Sequence, residues 1–319
     1  MPSPTSGTTV QRPDLRDALW EYVTDQQPYI GLQVYPIFET QQRSGGYPVI
    51  PTEALLKLHE DIKRAAGGTY PRGAWQFGRG TYACEEYGFE EPVDDSEARA
   101  YAHYFDAEAV AGELALDQVL RQQEKRILDR LQDNAVYTTG AGVTNEWDDA
   151  ANAVPITDVQ TAKLAIFNAT GLMPNTLVVA FSTFQDLNLC AQIADRIKYV
   201  FPGMARPYSA DLIAQVLGVE KLLVSKGVYD STDEGQSTTI ASLWSNEYAW
   251  LGKTASGGRL KQPCAGRTFL WTEDSPDNAM VESYREDSIR GDVIRVRQHT
   301  DEVEIMVSCA YLFENITTI

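Results

Sequence analysis

The residues that could carry chemistry in this chain are few and far apart. His59, His103 and His299 are three isolated histidines, each of which reads as a surface or interface residue rather than a base. Cys84, Cys190, Cys264 and Cys309 form no CxxC pair and have no histidine at zinc-ligand spacing. Gly252-Lys253-Thr254 resembles the end of a phosphate-binding loop, but the glycine such a loop needs five residues earlier is Glu247. No GxSxG elbow and no HExxH helix is present. With 45 carboxylates some pair must meet by chance, so no glycosidase-like acid pair follows from composition. Seven acids fall between Glu85 and Glu97 without the spacing of a calcium loop, which reads as an acid-rich, solvated connection. The sequence thus assigns no catalytic, cofactor or metal residue. A soluble enzyme with an unrecognised carboxylate site stays open as an alternative.

One stretch does stand out. Residues 67–82 hold five glycines, four aromatics and two arginines, with almost no aliphatic side chain. A phosphate cradle would need a strand before it and a helix start after it, and neither is indicated. The composition fits a projecting loop that lays Arg72, Trp75, Phe77 and Arg79 on another chain, because aromatics and arginine dominate interface anchors.

Charge narrows the partners. Lys plus Arg number 27 against 45 Asp plus Glu, a net charge of −18. Such a chain is not built to grip nucleic acid, which needs clustered cations, although it can enclose nucleic acid without holding it. Apolar runs such as Leu177–Phe181 are far shorter than the ~18 residues of a membrane span. The uncharged Ser/Thr/Pro-rich start resembles no signal peptide, and the scattered thiols fit a reducing compartment.

Periodicity supplies the elements. A helix is expected from Asp14 to Val23, then an extended, proline-punctuated arm from Pro28 to Pro51, then a helix over residues 51–66. Asp106 to Asn134 lacks proline and is rich in helix formers, with Val110, Leu114, Leu120, Ile127 and Leu131 recurring as one seam. Its middle, Arg121-Gln122-Gln123-Glu124-Lys125-Arg126, has no apolar residue and reads as a solvent-facing waist. Capping boxes at Thr157–Gln160 and Ser182–Gln185 mark two helix starts, the second running to about Tyr199, and Ser209 opens a third helix. Thr176–Phe181, Leu222–Val224 and Tyr248–Leu251 read as strands. Ile294/Val296 and Val303/Ile305/Val307 alternate with charged residues, which predicts a hairpin turning at Gln298–Asp301 with Arg opposite Glu.

This order of parts resembles the major capsid proteins of tailed double-stranded DNA bacteriophages, the Hong Kong ninety-seven type. The resemblance is carried by Arg121–Arg126, Pro174–Val178, Gln192–Tyr199, Gly218–Val224, Val281–Glu286 and Ala310–Asn315. It implies an α+β phage capsid fold with an N-terminal arm (1–45), an extended loop (46–90), a peripheral domain with a long spine helix (91–150 and 281–319) and an inserted α/β axial domain (151–280). It further implies a virion protein, made in the host cytoplasm, whose hexamers and pentamers enclose DNA without sequence-specific binding. A separate scaffolding protein, a portal and an optional cement protein are the implied partners, with no membrane and no cofactor. An encapsulin-like protein nanocompartment shell is the alternative that shares the resemblance.

Overall fold

The computed structural model describes residues 10–11, 29–49, 51, 56–58, 62–64, 66–70, 72–73, 78–102, 106–137, 140–200, 203, 205–233, 235–258 and 262–318. The helix expected at Asp14–Val23 lies outside them, as do His59, His103, Trp75 and Phe77. Of the helix expected over 51–66, Leu56 is the sole described residue in helical conformation.

The N-terminal part is more structured than an extended arm. It holds the strand β1 (Val10–Gln11), a single turn of helix α1 (Gly31–Val34) and the strands β2 (Ile37–Thr40) and β3 (Ser44–Val49). β4 (Gly78–Ala83) returns antiparallel to β3, so the two form a hairpin whose tip is the long loop 50–77. The acid-rich segment follows as a ten-residue strand, β5 (Glu85–Asp94), and a short helix, α2 (Asp95–Tyr101). Successive side chains alternate faces, so Glu85/Glu86 and Glu90/Glu91 each place one carboxylate on either side of the strand.

The spine is α3 (Ala107–Leu131), 25 residues and roughly 37 Å long at ~1.5 Å per residue. The Asp106 side chain caps it by accepting from the Glu108 amide at 3.0 Å. Leu120 and Ile127 are buried as the seam requires, but Val110 and Leu114 are exposed. The expected seam therefore turns away from its first half, where Ala111, Gly112, Ala115 and Leu116 take the inner face. Small residues there let the helix approach the strands closely.

Beyond β6 (Ala141–Gly142), α4 (Pro155–Thr170) begins two residues before the expected cap, with proline at its first position and no side-chain cap. It ends at Gly171, whose φ of 70° requires a residue that tolerates the left-handed region. β7 (Thr176–Ala180) is wholly buried. The helix expected from Ser182 to Tyr199 is two helices, α5 (Phe181–Leu189) and α6 (Ala191–Val200), broken at Cys190. α7 (Ala210–Leu217) is capped by Ser209 and stopped by Gly218, as read from the sequence. β8 (Lys221–Ser225), a small hairpin of β9 (Val228–Asp230) and β10 (Ile240–Ser242), and β11 (Ala249–Gly252) complete the middle of the chain.

The C-terminal part departs most from expectation. β12 (Gly266–Trp271) and β13 (Met280–Glu286) precede β14, which runs unbroken from Gly291 to Glu304. There is no turn at Gln298–Asp301. β13 pairs with residues 291–297 and β12 with residues 300–304, while β5 pairs along residues 291–300. Because both β5 and β12 pair with Thr300, they lie on opposite edges of β14. A strand that exchanges partners midway needs no turn to satisfy its backbone. β15 (Ala310–Glu314) then closes the chain.

Two sheets result. One follows the order β1-β13-β14-β12-β2, with β5 also on β14; the other is β6-β15-β11-β7-β8. The sheets divide the chain differently from the expected boundaries. β12 lies in the six-stranded sheet with β13 and β14, and β6 and β15 lie in the five-stranded sheet with β11.

α3 ties the sheets together. Its first half packs Ala115, Leu116, Val119 and Leu120 against Val281, Ile294 and Val296 of the six-stranded sheet. Its last turns pack Ile127, Leu128 and Leu131 with Val178, Trp250 and Leu312 under the five-stranded sheet. The other face of that sheet, Leu177, Val179, Leu251 and Phe313, is covered by α4, α5, α6 and α7. Replacing Leu120 or Ile127 by Asp is expected to destabilise the isolated subunit by on the order of 4 kcal/mol, whereas Leu114→Asp should stay within about 0.5 kcal/mol. Denaturant unfolding of the three variants checks the helix phase.

Candidate functional site

The loop singled out in the sequence rises from a rigid root. β3 and β4 meet with Tyr47 opposite Gly80, and a Cβ on Gly80 would stand 2.2 Å from the Tyr47 ring, so only glycine fits there. At the base of the hairpin, Tyr82 stacks on Phe269 with centroids 4.4 Å apart, Tyr47 stacks at 5.4 Å and Phe38 meets the same ring edge-on at 5.3 Å. The Tyr82 hydroxyl shares a hydrogen bond of 2.8 Å with Thr40, and the Ala83 amide donates to Asp301 at 2.8 Å. Four aromatics from four strands thus fix the hairpin to the six-stranded sheet. The sequence reading missed this cluster because Tyr47 and Phe269 lie far from the glycine-rich stretch.

Every described residue from Leu56 to Gly73 is exposed, and Leu58 and Ile62 are 85% and 75% exposed. Arg72 and Arg79 are exposed and make no ion pair among the described residues. Arg79 lies across Gly46, where a Cβ would come within 2.5 Å of its Nε. Of the four expected contact residues, Arg72 lies in the loop and Arg79 on β4, both exposed, and Trp75 and Phe77 fall outside the described residues.

The carboxylates of β5 and α2 are largely engaged at home. Glu90 accepts from Arg295 and from the Tyr284 hydroxyl, Arg285 forks onto Asp95 at 2.6 Å, and Asp94 caps α2. Arg295 faces Glu282 on one side and Glu90 on the other; the expected pairing with Glu302 and Glu304 across a hairpin is absent, because those carboxylates lie on the same strand and pair with Arg126 and Arg130 of α3. Arg297 pairs with Glu282 at 2.9 Å and Asp274 at 2.6 Å. His299 is buried edge-on against Trp271, and burial pushes its pKa down. Burial also raises the thiols of Cys84, Cys264 and Cys309, the first to about 11 and the last to about 12, which disfavours their thiolate forms. Among the described residues no group of three His, Cys, Asp or Glu side chains could hold a metal ion, and no helix is long and apolar enough to cross a membrane.

The waist of α3 is the second unexpected site. Far from facing solvent, Gln123 and Glu124 are buried. Gln123 and Asn278 exchange two hydrogen bonds, and Arg126 forks onto Glu302 at 3.1 Å with its guanidinium 3.6 Å from the Tyr87 ring centroid. Arg130 pairs with Glu304 at 3.0 Å. Glu124 accepts from the amides of Ile30 at 3.1 Å and Gly31 at 2.6 Å, holding the first turn of α1. A Cβ on Gly31 would stand 2.6 Å from the Glu124 carboxylate.

Desolvation pushes the Glu124 carboxyl from its ordinary 4.5 to about 7, against the opposing pull of the two amides. The folded state therefore holds this proton more tightly than the unfolded chain. Its stabilising effect is full below about pH 4.5 and is lost as the pH rises through 7, a span of about 3 kcal/mol. Unfolding free energies measured between pH 5 and 8 should show this decline in the native protein and a flatter profile in Glu124→Gln.

No model of a known protein family matches the chain. It is 25% identical over 218 residues to the major capsid protein of Burkholderia phage BcepMu, covering 66% of this chain and 68% of that one. Its fold is that of a phage-related protein from Bordetella bronchiseptica, with a TM-score of 0.69, 20% identity and 96% and 98% of the two chains covered. The capsid structure of cyanophage P-SCSP1u superposes with a TM-score of 0.56 at 10% identity, over 88% and 86% of the chains. An encapsulin from Synechococcus elongatus gives 0.53 at 12% identity, over 90% and 87%.

Proposed function

We propose that this chain, which has the α+β fold of tailed-phage capsid proteins, is a structural major capsid protein that builds a closed shell from copies of itself. The observation that carries this reading is the arm. A stiff aromatic root supports a loop of about 28 residues whose described residues from Leu56 to Gly73 are all exposed, Leu58 and Ile62 among them. A lone subunit gains nothing by exposing such groups on a fixed stem, whereas a shell subunit buries them on a neighbour.

In this reading hexamers and pentamers close an icosahedral head around double-stranded DNA. The arm, with Arg72, Trp75, Phe77 and Arg79, reaches across subunit boundaries. The six-stranded sheet and α3 serve as the peripheral body and the five-stranded sheet with its helices as the axial one. A separate scaffolding protein and a portal assist assembly in the host cytoplasm, with a cement protein where the finished shell needs reinforcement. The net charge of −18 suits a container for DNA, because a basic lining would hold the polymer that must later leave. Salt confines this repulsion to roughly 8 Å, so it does not forbid packing. The curated relative is a phage capsid protein, which favours DNA over the protein cargo of an encapsulin.

Purified protein, alone or with a scaffolding protein, is expected to form capsomers or closed shells by electron microscopy. A subunit that stays monomeric under all conditions would refute the proposal. The double variant Arg72→Ala/Trp75→Ala should unfold like the native subunit yet yield few or fragile particles; intact shells from it would remove the arm from the assembly mechanism.

A further inference from the structure

Glu124 and Glu302 are each 2% exposed, but they are held differently. Arg126 neutralises Glu302, whereas Glu124 makes no ion pair among the described residues. The cations beside it on α3 are committed elsewhere: Arg121 to Asp117, Lys125 to Asp129, and Arg126 to Glu302. Farther along the helix, Arg130 and Glu304 satisfy each other. The loop before β13 brings Asn278, which is neutral and bonded to Gln123. The N-terminal segment brings Tyr29, which donates to Asp117 at 2.6 Å, and Tyr35, which shares a hydrogen bond with Tyr137. Burial raises the pKa of both hydroxyls, so neither is charged near neutrality. No charged side chain contributes to the shift at Glu124; burial dominates it.

The segment that covers this carboxylate has one firm end and one polar end. Val34 and Tyr35 are buried in the core. Tyr29, Ile30 and Gly31 are fastened by polar contacts to Asp117, Arg121 and Glu124, three residues on one face of α3. A carboxylate buried without a cation is costly in its charged form, and lifting its cover returns it to water.

We infer that Tyr29–Gly31 is a proton-gated strap: when Glu124 loses its proton to solvent, the strap lifts from the waist while Val34 and Tyr35 stay anchored. With the strap closed the carboxyl titrates at about 7, and with it open the ordinary 4.5 returns. The closed form is therefore favoured at low pH, and this advantage is lost as the pH rises through 7. Opening frees the junction through which residues 1–28 join the body. The device needs no second subunit and is independent of the shell reading.

Hydrogen–deuterium exchange of the full chain tests it, because the Ile30 and Gly31 amides are themselves the donors to Glu124. With labelling times scaled to the intrinsic rate at each pH, exchange in residues 29–35 should be roughly ten-fold faster at pH 8 than at pH 6. It should also exceed exchange in β7 at both values, which marks local opening. Glu124→Gln should abolish the pH step. Where that variant does not fold, Tyr29→Phe serves: it removes the Asp117 fastening and should speed exchange at both pH values while keeping the step. Level exchange in the native protein, a step that survives in Glu124→Gln or vanishes in Tyr29→Phe, or a strap that exchanges no faster than β7 each overturn the inference. None of these outcomes bears on shell formation.

Discussion

The polar waist of α3 is the constraint around which the subunit is arranged. One helix serves two hydrophobic cores, its first half under the six-stranded sheet and its last turns under the five-stranded one. Where it passes between them it carries Gln123, Glu124 and Arg126, groups that cost several kcal/mol each to bury without partners. Every partner comes from a segment remote in sequence: the amides of Ile30 and Gly31, the Asn278 side chain, and Glu302 on β14. Satisfying the waist therefore locates the N-terminal segment, the loop before β13 and the long strand in one step. Apolar contacts supply the driving force for folding, and the waist supplies the register.

The same strand, β14, organises the opposite surface. Its outward arginines are bracketed by carboxylates from β5 and β13, so an acidic chain neutralises itself where its strands crowd together. What remains is an excess of negative charge on the periphery and a basic, apolar loop on a rigid hairpin. Such a subunit resists random self-association through its net charge.

Much of this was legible in the chain before any coordinates. The helix formers and missing prolines from 106 to 134 marked the spine, and Ser209 and Gly218 bounded a helix correctly, because each of these signals is local. Charge and the lack of catalytic motifs pointed to a structural role for the same reason. Leu120 and Ile127 were placed correctly because each faces a core directly below it.

Tertiary structure alone decided the rest. Val110 and Leu114 fit the apolar seam by spacing but face outward, since Ala111, Gly112 and Ala115 are the residues small enough for the close approach of the strands. The polar waist looked like a solvent face because sequence does not reveal that partners 90 to 180 residues away will arrive to bury it. Residues 298–301 looked like a turn because alternation stops there; in the fold, β14 continues and changes partners, from β13 to β12. A residue's type states what it would cost to bury, and only the folded chain determines which neighbours are present to offset that cost.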